Sequence, residues 1–299
     1  MRKSLSVAPR LAPQAFRLVL PTADVTPEPS PSGVLGTLST AELTALAEGV
    51  RQDGFVRFER PVDTATCAAI EAVARSTPAE LMPTPLRGPA VAVFDEDQPL
   101  APKHHVPEAA VVAVPEVQAL LVDPTLRALA GAYLGCQPVC TLTATWWSSP
   151  SPNGPSSEIA QLFHEDRDHP SFLKFFLYVT DVDGAHGPHV YVRGSHRGRP
   201  GALRADRRFG DDEVARHYRA EDIVALCGPR GTLFAADTSG LHKGLPPVAG
   251  SRLVFQIEFA DSLFGAPYGR VSPSILTTGT AAEMARHPHT YRRFLAEEH

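Results

Sequence analysis

Residues 161–197, QLFHEDRDHPSFLKFFLYVTDVDGAHGPHVYVRGSHR, hold the side chains best suited to chemistry, and His164 and Asp166 stand two apart near its start. In an extended chain that spacing puts both side chains on one face, so an imidazole nitrogen and a carboxylate oxygen can reach the same ion. A second imidazole must come from elsewhere, and His242 in DTSGLHKG is the candidate. Two histidines and one carboxylate on one face of a metal, with the other positions open, form the ligand set of non-haem Fe(II) oxygenases.

Such a site needs rigid strands to carry it. Downstream of the pair, Phe172, Lys174, Phe176, Tyr178 and Thr180 share one face, while Leu173, Phe175, Leu177 and Val179 share the other. Both faces are largely apolar, which predicts a strand covered on both sides. A turn at Gly187-Pro188 leads into a second strand. Residues 139–147 alternate as another, with Thr141, Thr143, Thr145 and Trp147 on one face. Residues 231–234 and 251–260 read as two more.

Helical signals surround these strands. Ser39 and Glu42 form a capping box ahead of Leu43, Leu46, Ala47 and Val50 at helical spacing. A short strand follows at 55–58. Asp63 or Thr64 caps a second helix with Ala68, Ile70 and Val73 on its apolar side. Residues 115–134 form one broken helix or two short ones, stopped by Gly135. A C-terminal helix capped around Thr280–Glu283 continues past Pro288 to Leu295. Residues 1–36, dense in proline, are expected to form a surface arm, and residues 37–299 one domain. The stretch 77–113, which contains His104 and His105, has no clear period and reads as a lid or a solvated loop. Residues 198–226 read as an Arg-rich insertion with a short helix around 212–219. Helices first and many short strands after them predict a mainly β fold, an antiparallel barrel or sandwich with flanking helices.

Composition excludes several partners. The chain has 299 residues, 43% of them apolar, and a net charge of −5. Lys and Arg form no stripe, which argues against nucleic acid and anionic membrane surfaces. Cys67, Cys136, Cys140 and Cys227 contain no CxxC pair and read as reduced structural thiols. Pro9, Arg10, Pro13 and Arg17 interrupt any leader-like apolar run, and nothing approaches the ~20 apolar residues of a membrane span. A cytoplasmic protein is expected. The sequence leaves the oligomeric state open.

The segments FHED, LKFFLYVTDVDGAHGPHVYVRGSHR, LH at 241–242 and SRLVFQ at 251–256 together resemble the phytanoyl-CoA dioxygenase (PhyH-like) branch of the Fe(II)/2-oxoglutarate-dependent oxygenases. RQDGFVRF and AGAYLGCQPV extend the resemblance over residues 40–262. It implies a double-stranded β-helix (jelly-roll) core, with Fe(II), 2-oxoglutarate and O2 as cofactor and co-substrates. His164, Asp166 and His242 would ligate iron, and Arg252 would grip the distal carboxylate of 2-oxoglutarate with its planar fork. The implied reaction hydroxylates an unactivated C–H bond and releases succinate and CO2. Asp166 argues against halogenation, since halogenating relatives carry a small residue there. Desaturation, cyclisation and epimerisation stay open.

Lys174 needs an anion, which 2-oxoglutarate would supply, unless it forms a salt bridge or snorkels to solvent. Thr145 and Trp147 are assigned to the cofactor pocket, and Asp168, His169, His104 and His105 to the substrate. His186, His189 and His196 are read as turn and surface residues. The expected substrate is a small specialised metabolite, acyl or amino-acid derived, free or carrier-bound. Two rival classes are a non-catalytic jelly-roll binding protein and a cupin-like metalloenzyme without 2-oxoglutarate. Loss of a ligand or of the arginine would have favoured them, and neither is lost.

Overall fold

The protein is described by a computed structural model covering residues 30–86, 88–151, 155–264 and 269–295. Of the expected N-terminal arm, residues 1–29 lie outside the described residues. Its last part pairs β1 (Ser32–Gly33) with β2 (Gly36–Thr37). That turn is tied down by the Val34 N–H, which donates to Asp123 Oδ2 at 2.7 Å.

Helix α1 (Thr40–Asp53) starts at the expected capping box and ends at Gly54, whose φ of 88° suits a residue without Cβ. β3 (Phe55–Arg57) follows. Helix α2 (Thr64–Ser76) is capped by Asp63, which accepts from Thr66 N–H. Its buried face is Thr66, Cys67, Ile70 and Ala74, and Ala68 is exposed, one position away from the expected stripe.

The stretch 77–113 is not a loop or a lid. It contributes β4 (Ala79–Met82), β5 (Val91–Ala92) and β6 (Lys103–Val106) to the main sheet, followed by α3 (Glu108–Val112). These strands are two to four residues long. Pairing with β7 holds them, and local periodicity is too short to register. Helices α4 (Pro115–Leu121) and α5 (Pro124–Leu134) precede β7 (Val139–Ser148), β8 (Phe172–Tyr178) and β9 (His189–Val192). The supposed insertion holds α6 (Asp211–Ala215) and also β10 (Ile223–Leu226), then come β11 (Leu233–Ala236), β12 (His242–Gly244) and β13 (Arg252–Ala260). Helix α7 (Thr278–Arg286) is capped by Thr277, not Thr280, and stops before Pro288.

Two antiparallel sheets face each other. The eight-stranded sheet runs β3-β11-β8-β13-β7-β6-β4-β5, and the three-stranded sheet runs β10-β9-β12. Along β13, Leu253, Phe255, Ile257 and Phe259 pack toward the helices, while Val254 joins Phe176, Tyr178, Tyr191 and Phe234 between the sheets. Strand alternation therefore gives Arg252, Val254, Gln256 and Glu258 one common face, the interior one. This is the mainly antiparallel, helix-flanked architecture of a double-stranded β-helix.

Register corrects one assignment. Trp147 pairs with Leu253 and Thr145 with Phe255, so both face the helical core and not the pocket between the sheets. Trp147 is fully buried, stacks on Phe94 with centroids 4.4 Å apart and donates its indole N–H to the Ala74 carbonyl at 3.2 Å. The residues on the interior face are Trp146 and Ser148. Trp147→Ala is expected to cost about 3–5 kcal/mol in urea unfolding, the usual cost of an aromatic-sized core cavity. The metal affinity of the folded variant should match the wild type.

Candidate metal centre

Main-chain hydrogen bonds bring the two halves of the centre together. His164 N–H donates to the His242 carbonyl and His242 N–H to the His164 carbonyl, both at 2.9 Å. Asp166 N–H donates to the Thr238 carbonyl at 2.8 Å, so this segment runs beside β12. The turn before His242 is held by Asp237 N–H donating to the Gly54 carbonyl and by the Tyr191 hydroxyl donating to the Asp237 carbonyl. A Cβ on Gly240 would collide with that hydroxyl.

Each ring is oriented from behind. His164 Nδ1 lies 2.9 Å from the Leu162 carbonyl, and His242 Nδ1 lies 3.0 Å from the Gly240 carbonyl. Donating Nδ1–H to a carbonyl fixes the tautomer that leaves an Nε2 lone pair free to ligate. His164 Nε2 is 3.6 Å from Asp166 Oδ1, and His242 Nε2 is 3.5 Å from Asp166 Oδ2. Two donors bound at about 2.1 Å and at right angles would stand roughly 3 Å apart, so the observed spread closes on one ion with little movement. Among the described residues this is the only such group of ligating side chains. Burial and the neighbouring His242 ring push His164 well below the ordinary imidazole range, which keeps it neutral and able to ligate.

Behind the centre lies a buried charge cluster. Lys174 Nζ donates to Asp166 Oδ2 at 2.7 Å and to Asp168 Oδ2 at 2.8 Å, and lies 3.3 Å from Glu258 Oε2. Lys174 is therefore engaged by three carboxylates and does not await 2-oxoglutarate. Burial alone would raise the Asp166 carboxyl, but the Lys174 ammonium together with His242 and His164 outweighs it and holds the group well below the usual carboxylate range. Asp168 is raised, because burial and its two carboxylate neighbours outweigh Lys174. His169 is raised by Glu258 against its burial, and its Nδ1 lies 3.2 Å from the Phe264 carbonyl. Asp168 is held by Lys174 and His169 by Glu258.

The interior face of the main sheet carries a second feature. Arg252 is buried, and its Nη2 donates to Ser148 Oγ at 3.3 Å. Its Nε and Nη1 are buried without partners. A buried guanidinium with free donors calls for an anion, and its fork matches a carboxylate. Register extends the row, since Arg252 pairs with Ser148 and Ser148 with Lys103. Burial and the nearby Arg252 push the Lys103 ammonium down to about 8. Its Nζ lies 4.6 Å over the Trp146 ring. Of the expected substrate pair, His105 shares the Lys103 face. His104 is turned to the other side, buried against Phe94 with ring centroids 5.1 Å apart.

Two interior residues escaped the sequence reading. Lys103 sits in a stretch with no visible period. His189, read as a turn residue, is buried and stacks on His242 with centroids 5.3 Å apart, and its Nε2 has no partner. The alternation His189/Tyr191 against Val190/Val192 was the available signal, because the latter two pack in a separate apolar cluster. His186 is partly exposed and paired with Asp183, as a turn residue should be.

Residues 50–249 match the family model for phytanoyl-CoA dioxygenase (PhyH). No curated protein sequence matches the chain. Among solved structures, it is similar to SnoK, a non-haem alpha ketoglutarate-dependent carbocyclase from nogalamycin biosynthesis. Identity there is 21% and the TM-score 0.51, covering 77% of this chain and 86% of that one. The epimerase SnoN, in complex with Fe3+, alpha ketoglutarate and nogalamycin RO, matches at 16% identity and a TM-score of 0.52, over 76% and 87% of the two chains. HygX from Streptomyces hygroscopicus, with nickel and 2-oxoglutarate bound, matches at 12% identity and a TM-score of 0.53, over 77% and 96%. Among the described residues, no helix is long and apolar enough to cross a membrane.

Proposed function

The chain belongs to the phytanoyl-CoA dioxygenase family, as an Fe(II)/2-oxoglutarate-dependent oxygenase, and from that membership we propose the division of labour at its site. His164, Asp166 and His242 bind Fe(II), and Arg252 with Lys103 receives the distal carboxylate of 2-oxoglutarate. With O2, the bound iron and 2-oxoglutarate supply the oxidising chemistry, which hydroxylates a C–H bond of a small molecule and releases succinate and CO2. The Leu162 and Gly240 carbonyls hold the two imidazoles ready, and Lys174 holds the Asp166 carboxylate ionised. Phe176, Tyr178, Phe234 and Trp146 line the space between the sheets and keep it poor in water. The substrate is read as a specialised metabolite, free or carrier-bound, met in the cytoplasm. The same residues would serve desaturation, cyclisation or epimerisation, which diverge only in how the substrate is placed.

The observation that carries this reading is a three-donor cluster facing a buried guanidinium with two unpartnered nitrogens. Anaerobic titration of apo-protein with Fe(II) and 2-oxoglutarate, followed by the visible charge-transfer band of the chelate, tests it. Arg252→Gln should need about ten to a hundred times more 2-oxoglutarate, the worth of a charge-assisted bond. Burial and Arg252 hold the Lys103 ammonium down at about 8, and a carboxylate placed beside it would raise it. Binding then takes up a proton, so affinity should be greatest below pH 8 and decline above it. Lys103→Met should lose that slope. Absence of a band in folded, iron-loaded protein would put the non-catalytic binding class ahead.

A further inference from the structure

The cations at the centre are accounted for with one exception. Arg252 and Lys103 face one end of the interior, and Lys174 is consumed by its three carboxylates. On the Arg-rich segment leading to α6, Arg207 pairs with Glu213, and Arg199 and Arg167 share Glu165. Arg208 differs. Among the described residues its side chain forms no ion pair, and its Nη1, like that of Arg199, is buried without a hydrogen bond.

Register places Arg208 at the centre. Phe163 and Phe209 form an antiparallel bridge through two hydrogen bonds, N–H to carbonyl at 3.0 and 2.9 Å. The next residues in that register are His164 and Arg208, which therefore stand opposite one another. His164 is bridged on its other side to His242, so Arg208, His164 and His242 form one lateral row at the rim of the small sheet. Phe163 and Phe209 both pack into the apolar cluster outside that sheet, with Leu203 and Val214. Alternation turns their neighbours His164 and Arg208 the other way, toward the metal centre. Burial lowers Arg208 from its usual value while the Asp166 and Asp206 carboxylates oppose the shift.

We propose that Arg208 is the substrate's anchor, a guanidinium that grips an anionic oxygen group, carboxylate or phosphoryl, of the small molecule brought to the metal. This rests on the proposed division of labour, in which Arg252 is occupied by 2-oxoglutarate. A half-buried guanidinium with an unpartnered nitrogen gains most from a charge-assisted, bidentate partner, which none of its protein neighbours provides. Anchoring from the small-sheet side leaves the Arg252 end to the co-substrate, so two anions enter one interior without competing. Neutral analogues of the true substrate would lack this contact.

The test uses Co(II)-loaded full-length protein saturated with 2-oxoglutarate, at constant ionic strength and without oxygen. Acetate and, separately, inorganic phosphate are titrated in while the cobalt visible spectrum is followed. One of them should change the spectrum saturably, and which one does so separates a carboxylate from a phosphoryl ligand. Arg208→Gln should weaken that anion about tenfold or more, as loss of a charge-assisted bond requires. Arg208→Lys should retain part of the affinity. Both variants should bind 2-oxoglutarate like the wild type and keep its near-UV circular dichroism. If 2-oxoglutarate binds normally but neither anion saturates, or Arg208→Gln binds the anion unchanged, Arg208 is not the anchor. If 2-oxoglutarate itself fails to bind the wild type, the division of labour falls first.

Discussion

His242→Ala should leave the protein folded and remove its response to iron. The bonds that pin this region are main-chain ones, His164 to His242 in both directions and Asp166 to Thr238, and a side-chain truncation leaves them in place. What disappears is one of three donor atoms. Loss of a partner that merely orients a ligand already costs about 10–100-fold in metal affinity, so loss of the ligand should exceed that. The measurement is thermal unfolding with and without Fe(II) under anaerobic conditions. Wild-type protein at a hundredfold excess over its Kd should gain about 2.7 kcal/mol. The variant should gain nothing at the same concentration, and succinate release should fall to background. An undiminished metal-induced shift in the variant would mean that iron binds elsewhere, and the assignment of the triad would be withdrawn.

How much of this was legible follows from how local each signal is. His164 and Asp166 are two apart in one extended segment, so alternation alone places them together, and both sit in the observed cluster. The capping box at Ser39 and Glu42 and the doubly buried strand around Phe172–Tyr178 are equally local, and both are present. Thr145 and Trp147 show where alternation stops helping. It states that residues 145 and 147 share a face, yet only pairing with Phe255 and Leu253 decides that this face meets the helices. Strands β4 to β6 were missed because pairing with a distant neighbour holds them, and Lys103 was missed along with them. Lys174 was legible as a buried cation needing an anion. Glu258, which supplies part of the answer, lies 84 residues further on and is brought close only by the β8–β13 register.

Lys174→Met is expected to damage both stability and metal binding, and the pH dependence of its effect is diagnostic. Methionine fills similar space and removes only the charge, leaving Asp166, Asp168 and Glu258 to face each other in a buried site. Breaking a buried ion pair from one side costs about 3–5 kcal/mol, and that is the expected loss at neutral pH. In the wild type the Asp166 and Glu258 carboxyls are held low against the burial that would raise them. A lowered folded-state value stabilises above the unfolded value of about 4 and is lost only as pH falls through the folded one. Without the ammonium both carboxyls rise, so each ionised carboxylate is less favourable in the folded variant at neutral pH than in the wild type. That penalty is relieved as the groups protonate on acidification. The stability gap between variant and wild type should therefore be widest near pH 7 and narrow steadily as pH falls toward about 4, as read by urea unfolding across the range. Metal binding should follow in the opposite sense, because protonated Asp166 cannot ligate. Fe(II) affinity should drop about 10–100-fold and become more acid-sensitive than in the wild type. A stability loss that stays constant with pH would indicate that Lys174 acts through packing alone, and its charge would have no part in holding Asp166 for the metal.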